Sequence, residues 1–124
     1  MVVLVVDDSA VARQLVCHML RKIDGITLVE ACDGADALAK LDDIVADVVV
    51  TDLNMPVLDG FALIEKIRDH DALAHMPIVV LTTEGSVADR ARGARLGVAS
   101  FVTKPIRRDA IVDAVLAARG RKHA

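Results

Sequence analysis

Apolar residues fall into five short runs, separated by longer stretches in which apolar positions recur every three or four residues. The runs VVLVV, DVVVT and PIVVLT are almost continuously apolar and β-branched rather than alternating, the pattern of strands buried on both faces. This predicts strands near 2–6, 26–31, 47–51, 77–82 and 99–103, with Pro77 opening the fourth. Ser9 is placed to cap a helix running to about Lys22, with Val11, Leu15, Met19 and Ile23 on one stripe. Asp24 and Gly25 then turn the chain. A second helix is expected over 34–41, with Ala35, Leu38 and Leu41 inward, and a third over 59–71, with Phe61, Ile64 and Ile67 inward. Ser86 can cap a fourth helix that stops at Leu96 and Gly97, and a fifth spans 107–118 with Ile111, Val115 and Ala118 in register. Strand and helix alternate throughout, so the expected fold is α/β: a doubly wound, five-stranded parallel sheet with helical crossovers.

At 124 residues and 13.2 kDa the chain has the length of one domain, expected over 1–120 with a short basic tail at 121–124. The hydrophobic fraction is 54%, yet no apolar run approaches the roughly 18 to 20 residues of a membrane span. The N-terminus enters a strand directly, without the pattern of a secretory signal, so a cytoplasmic location away from membranes is expected. Cys17 and Cys32 show neither metal-site spacing nor a disulfide framework and read as buried free thiols.

The net charge of −3 conceals a split. Residues 1–84 carry 6 basic and 15 acidic side chains, net −9, whereas residues 85–124 carry 9 and 3, net +6. The basic third includes Arg90, Arg92 and Arg95 in one predicted helix and Arg107, Arg108, Arg119, Arg121 and Lys122 around another. Such asymmetry marks either a partner face or solvated helices. Nucleic acid is disfavoured as a partner, because the pI is about 5.7 and no tyrosine or tryptophan is present to stack on bases.

Charge also gathers at the ends of the predicted strands. The first runs into Asp7 and Asp8, the third into Asp52 and the fifth into Lys104. In open parallel sheets ligands bind in the crevice at the carboxyl ends of the strands. Each acidic residue alone would be an ordinary turn or capping group. Together, three carboxylates on neighbouring strands repel one another unless they share a cation, and carboxylate and carbonyl oxygens suit Mg²⁺, with Mn²⁺ as a substitute. Lys104 and the Thr82 hydroxyl could then contact a phosphoryl group, leaving Asp52 placed to attack phosphorus.

The segments VVDDS (5–9), TDLNMPVLDG (51–60), VLTTEGS (80–86) and FVTKP (101–105) resemble the receiver domain of two-component response regulators, and most of all the stand-alone chemotaxis receivers of the CheY kind. The resemblance covers essentially the whole chain. It implies a flavodoxin-like sheet in the order 2-1-3-4-5. It also implies that Asp52 accepts the phosphoryl group, that Asp8 holds Mg²⁺ directly and Asp7 largely through water, and that the Asn54 backbone carbonyl is a further ligand. Thr82 and Lys104 match the groups that contact phosphoryl oxygens, and Pro105 matches a proline preceded by a cis bond. Asn54 and Glu84 match positions that tune dephosphorylation, in a pairing like that of fast-resetting chemotaxis receivers.

The implied partners are a histidine kinase as donor, a downstream protein such as a flagellar motor switch, and a phosphatase, with the chain acting as a monomer. The implied activity is a phospho-accepting switch that catalyses only its own phosphorylation and dephosphorylation, not an enzyme with outside substrates. On phosphorylation Thr82 would move toward the phosphoryl oxygens and Phe101 would turn into the vacated space. The partner face would be the fourth helix, fifth strand and fifth helix, including Arg90, Arg92, Arg95, Phe101 and Arg107. Phe101 departs from the tyrosine common at the switch position in chemotaxis receivers and lacks its hydroxyl.

An aspartate-nucleophile phosphatase of the haloacid dehalogenase type would want a second aspartate where Asn54 stands. A flavin carrier of flavodoxin type would want a hydroxyl- and glycine-rich loop after the first strand and aromatics to sandwich the ring. A phosphorelay intermediate, or a receiver cut from a longer regulator, remains an alternative within signalling.

Overall fold

The computed structural model describes residues 1–55, 58–83 and 86–120. Glu84, assigned above to dephosphorylation tuning, and the basic tail at 121–124 lie outside them. Five strands, β1 (Val2–Val6), β2 (Thr27–Ala31), β3 (Val48–Asp52), β4 (Ile78–Thr82) and β5 (Ser100–Thr103), form one parallel sheet in the order β2-β1-β3-β4-β5. Five helices follow them in turn: α1 (Ala10–Leu20), α2 (Gly34–Asp43), α3 (Gly60–Asp69), α4 (Val87–Arg95) and α5 (Arg108–Arg119). This is the flavodoxin-like doubly wound fold.

The β-branched runs are buried as their pattern requires: every residue of β3 and β4 is buried. On one face of the sheet Val16, Cys17 and Leu20 of α1 meet Ile111, Val112, Val115 and Ala118 of α5 over Val3, Val5, Val50 and Leu81. On the other, Ala37 and Leu41 of α2 and Phe61, Ile64 and Ile67 of α3 cover Leu4, Val6, Val49 and Val80. Caps set the helix starts. Ser9, Asp33, Asp59 and Ser86 each accept a backbone N–H from the first turn that follows. Arg68, at the end of α3, donates to the carbonyls of Leu96 (2.6 Å), Met76 (2.7 Å), Ala74 (3.1 Å) and Gly97 (3.1 Å). It thereby ties α3 to the ends of two other connections.

Three expectations need correction. In α1 the buried residues are Val16, Cys17 and Leu20; of the expected stripe Met19 and Ile23 pack against this core, whereas Val11 and Leu15 are 78% and 51% exposed. Two apolar stripes compete on this helix, and the one beginning at Val11 lies one residue off the face that meets β1 and α5. In α2 Ala37 is buried and Ala35 exposed, because Gly34 already presses against Leu58 and sets the helix's rotation. Cys17 is buried as expected, but Cys32 is exposed, standing just after the edge strand β2.

Candidate functional site

The chain reverses its direction of winding at β1, which pairs with β2 on one side and β3 on the other. In open parallel sheets ligands bind at such a switch point, at the carboxyl ends of the strands. Val6 pairs with Thr51, Asp52 with Leu81 and Thr82 with Thr103, so Asp7, Asp52, Thr82 and Lys104 fall in neighbouring positions along one edge. One carboxylate oxygen from each of Asp7, Asp8 and Asp52 can be chosen so that all lie within 4.8 Å of one another. Asp7 and Asp52 are 2% and 6% exposed, and Asp8 is open to solvent. Lys104 Nζ stands 3.4 Å from Asp52 Oδ1.

Local backbone contacts hold each group in place. Asp7 Oδ1 accepts from the Ser9 N–H at 2.9 Å, and the Asp7 carbonyl accepts from Arg13 Nη1 at 2.8 Å. Arg13 also pairs with Glu30 on β2 at 2.9 Å, so one guanidinium fastens the loop after β1 to the neighbouring strand. Nothing in the sequence reading pointed to Arg13. Its only signal is a basic residue one turn beyond the capping Ser9. Behind Asp52, the Gly60 N–H donates to the Leu53 carbonyl at 3.0 Å. A β-carbon at Gly60 would lie 2.5 Å from the Asp52 carbonyl oxygen, so only glycine lets α3 start this close to the end of β3. The Lys104 N–H donates to the Thr82 carbonyl at 2.8 Å, and the Lys104–Pro105 peptide is cis.

The electrostatics are unfinished. Burial pushes the Asp7 carboxyl above the usual aspartate range; the nearby Asp52 and Asp8 charges add to this, against the Ser9 N–H and the Lys104 charge. Asp7 Oδ2 is buried with no hydrogen-bond partner among the described residues. A buried carboxylate with an unpartnered oxygen, clustered with two more carboxylates, is the donor set of a hard divalent cation. Asn54 is exposed two residues beyond Asp52, and Thr82 is 2% exposed at the end of β4.

This geometry can be set beside known proteins. The response regulator receiver domain model matches residues 3–116. The chain belongs to that family. It is 32% identical to protein PilG of Pseudomonas aeruginosa over 115 residues, covering 93% of this chain and 84% of that one. It is 35% identical to chemotaxis protein CheY1 of Helicobacter pylori over 106 residues, covering 85% and 86%. Chemotaxis protein CheY4 of Vibrio cholerae superposes with a TM-score of 0.88 at 34% identity, covering 94% of this chain and 97% of that one.

On the expected partner face, the receiver's arginines separate. Residues 90 and 92 point to different sides of a helix. Arg92 turns to α3, where it pairs with Glu65 at 2.7 Å and stacks 4.5 Å from the Phe61 ring centroid. Arg95 lies with Arg68, His75 and Pro77 at the opposite edge of the sheet. Arg107 and Phe101 share a groove of about 410 Å³ between β5 and α5, floored by Ala110, Ala114 and Ala117. Among the described residues no helix is long and apolar enough to cross a membrane.

Proposed function

We propose that this receiver takes a phosphoryl group from a histidine kinase onto Asp52 and uses it to control a partner protein in chemotaxis-type signalling. One observation carries the reading: a buried aspartate at the end of a central strand has an ammonium 3.4 Å away and two further carboxylates within reach of a shared cation. The named chemotaxis relatives support the pathway class.

Asp7, Asp8, Asp52 and the backbone carbonyl of Asn54 would hold Mg²⁺, or Mn²⁺ in its place. The ion, when bound, offsets negative charge on the transferring phosphoryl oxygens. Asp52 supplies the nucleophilic oxygen. Its bond to phosphorus forms as the phosphohistidine N–P bond breaks, and the leaving imidazole takes up a proton. Lys104, already 3.4 Å from Asp52 Oδ1, would offset negative charge on the phosphoryl group. The Thr82 hydroxyl donates to a phosphoryl oxygen. Because the machinery sits on the receiver, small acyl phosphates should also serve as donors.

The chain acts on itself alone, as a cytoplasmic switch and not as an enzyme with outside substrates. Asn54 and Glu84 set a short phosphoryl lifetime. The signal passes from Thr82 to Phe101 and the face of α4, β5 and α5, where Arg107 lines the groove and Arg90 stands over the Phe101 ring, two charges that favour an acidic partner segment. Incubation with Mg²⁺ and a small acyl phosphate should add one phosphoryl group to the intact mass of the wild type and none to Asp52→Asn. Equal labelling of both would refute the assignment.

A further inference from the structure

Helix α4 buries one residue, Gly93. Glycine inside a helix is unfavourable relative to alanine. Backbone conformation does not demand it, since the positive-φ glycines among the described residues are Gly25 and Gly97. Space does. A β-carbon at position 93 would lie 2.4 Å from Phe101 Cζ and 2.5 Å from Phe101 Cε2, whereas carbon atoms pack at about 3.5 to 4.0 Å. The tip of the Phe101 ring therefore rests on bare α4 backbone. Arg90 places its Cζ 5.4 Å from the ring centroid, within range of a cation–π contact. Phe101 pairs with Val80 on β4, and Thr82 lies two residues further along on the same face.

We propose that Gly93 is a positioning residue: with Arg90 it forms the seat that holds the Phe101 ring in the unphosphorylated receiver, and the strength of that seat sets how readily a phosphoryl group at Asp52 turns the switch. The proposal rests on the phosphoryl-switch reading above. A phenyl ring has no hydroxyl to fix it, so its resting place comes from packing and from its charged neighbour. Weakening the seat raises the population in which the ring has left it. Any ligand selective for that population then binds more tightly.

The test is Mg²⁺-dependent binding of beryllofluoride to the full chain. Gly93→Ala should bind at least about fivefold more tightly than wild type, the lower end of typical coupling between sites. Arg90→Ala, which leaves the helix backbone untouched, should gain about two- to fivefold. Adding Gly93→Ala to Phe101→Ala should change nothing, because the ring is gone. The chain has two phenylalanines and no tyrosine or tryptophan, so ¹³C-labelled phenylalanine should show the Phe101 signals moving in Gly93→Ala while those of Phe61 stay put. Unchanged or weaker binding in both single variants, or an equal gain in the Phe101→Ala background, would overturn the proposal. A wild type that fails to bind beryllofluoride would refute the phosphoryl reading instead.

Discussion

Replacing Asp7 by asparagine should stabilise the metal-free protein while removing most of its response to Mg²⁺. Asp7 and Asp52 are both nearly inaccessible, and their carboxylate oxygens approach within 4.8 Å. At an effective dielectric constant near 20, two unit charges at that distance repel by about 3.5 kcal/mol. Lys104 returns part of this by attracting Asp7 as well as Asp52. Asparagine keeps the Oδ1 acceptor for the Ser9 N–H and removes the negative charge that Oδ2 shares. The net gain should be about 1 to 3 kcal/mol, which at roughly 4 °C per kcal/mol for a chain of this size raises Tm by about 4 to 12 °C. In the wild type, Mg²⁺ at a hundred times its Kd should add about 2.7 kcal/mol by mass action. In Asp7→Asn most of that gain should vanish. Thermal unfolding by circular dichroism, in EDTA and in Mg²⁺, gives all four values. An Asp7→Asn protein less stable than wild type in EDTA would refute the claim that the cluster is electrostatically frustrated.

Other consequences concern the scaffold. Leu20→Ala, at a fully buried position, should cost about 2 to 5 kcal/mol in denaturant unfolding, whereas Leu15→Ser on the exposed side of α1 should stay within about 0.5 kcal/mol; equal costs would reverse the assignment of the inward stripe. Gly60→Ala forces a carbon to 2.5 Å from the Asp52 carbonyl oxygen and should cost about 1 to 3 kcal/mol, with slower labelling by an acyl phosphate; labelling at the wild-type rate would mean that the start of α3 does not position the acceptor. Arg68→Ala removes four hydrogen bonds to carbonyls and should cost about 2 to 4 kcal/mol, with hydrogen exchange accelerated near Leu96 and Gly97. Unchanged exchange there would show that the strap is dispensable.

The strands and the residues at their ends were legible because parallel β-branched runs are buried on both faces and leave little choice of register. Asp7, Asp52, Thr82 and Lys104 meet where the alternation of strand and helix says they must. Helix rotation was less legible. In α1 two apolar stripes compete, and Val16, Cys17 and Leu20 face inward only because of what β1 and α5 present to them. Long side chains were least legible of all. A helical position does not disclose that Arg92 reaches back to Glu65, that Arg13 spans to Glu30, or that Arg68 gathers carbonyls from two connections. Gly93 gave a local signal, an unfavourable residue within a helix, but its meaning required the Phe101 ring beside it.

The most direct measurement of the central claim is the location of the phosphoryl group itself. Wild-type protein labelled by a phosphorylated histidine kinase in Mg²⁺ can be reduced with borohydride, which converts an aspartyl phosphate into a stable product, and then mapped by peptide mass spectrometry. The modified residue should be Asp52, with labelling lost in EDTA and strongly reduced in Lys104→Ala. Modification at Asp7, Asp8 or any other residue, or labelling indifferent to the metal, would contradict the account.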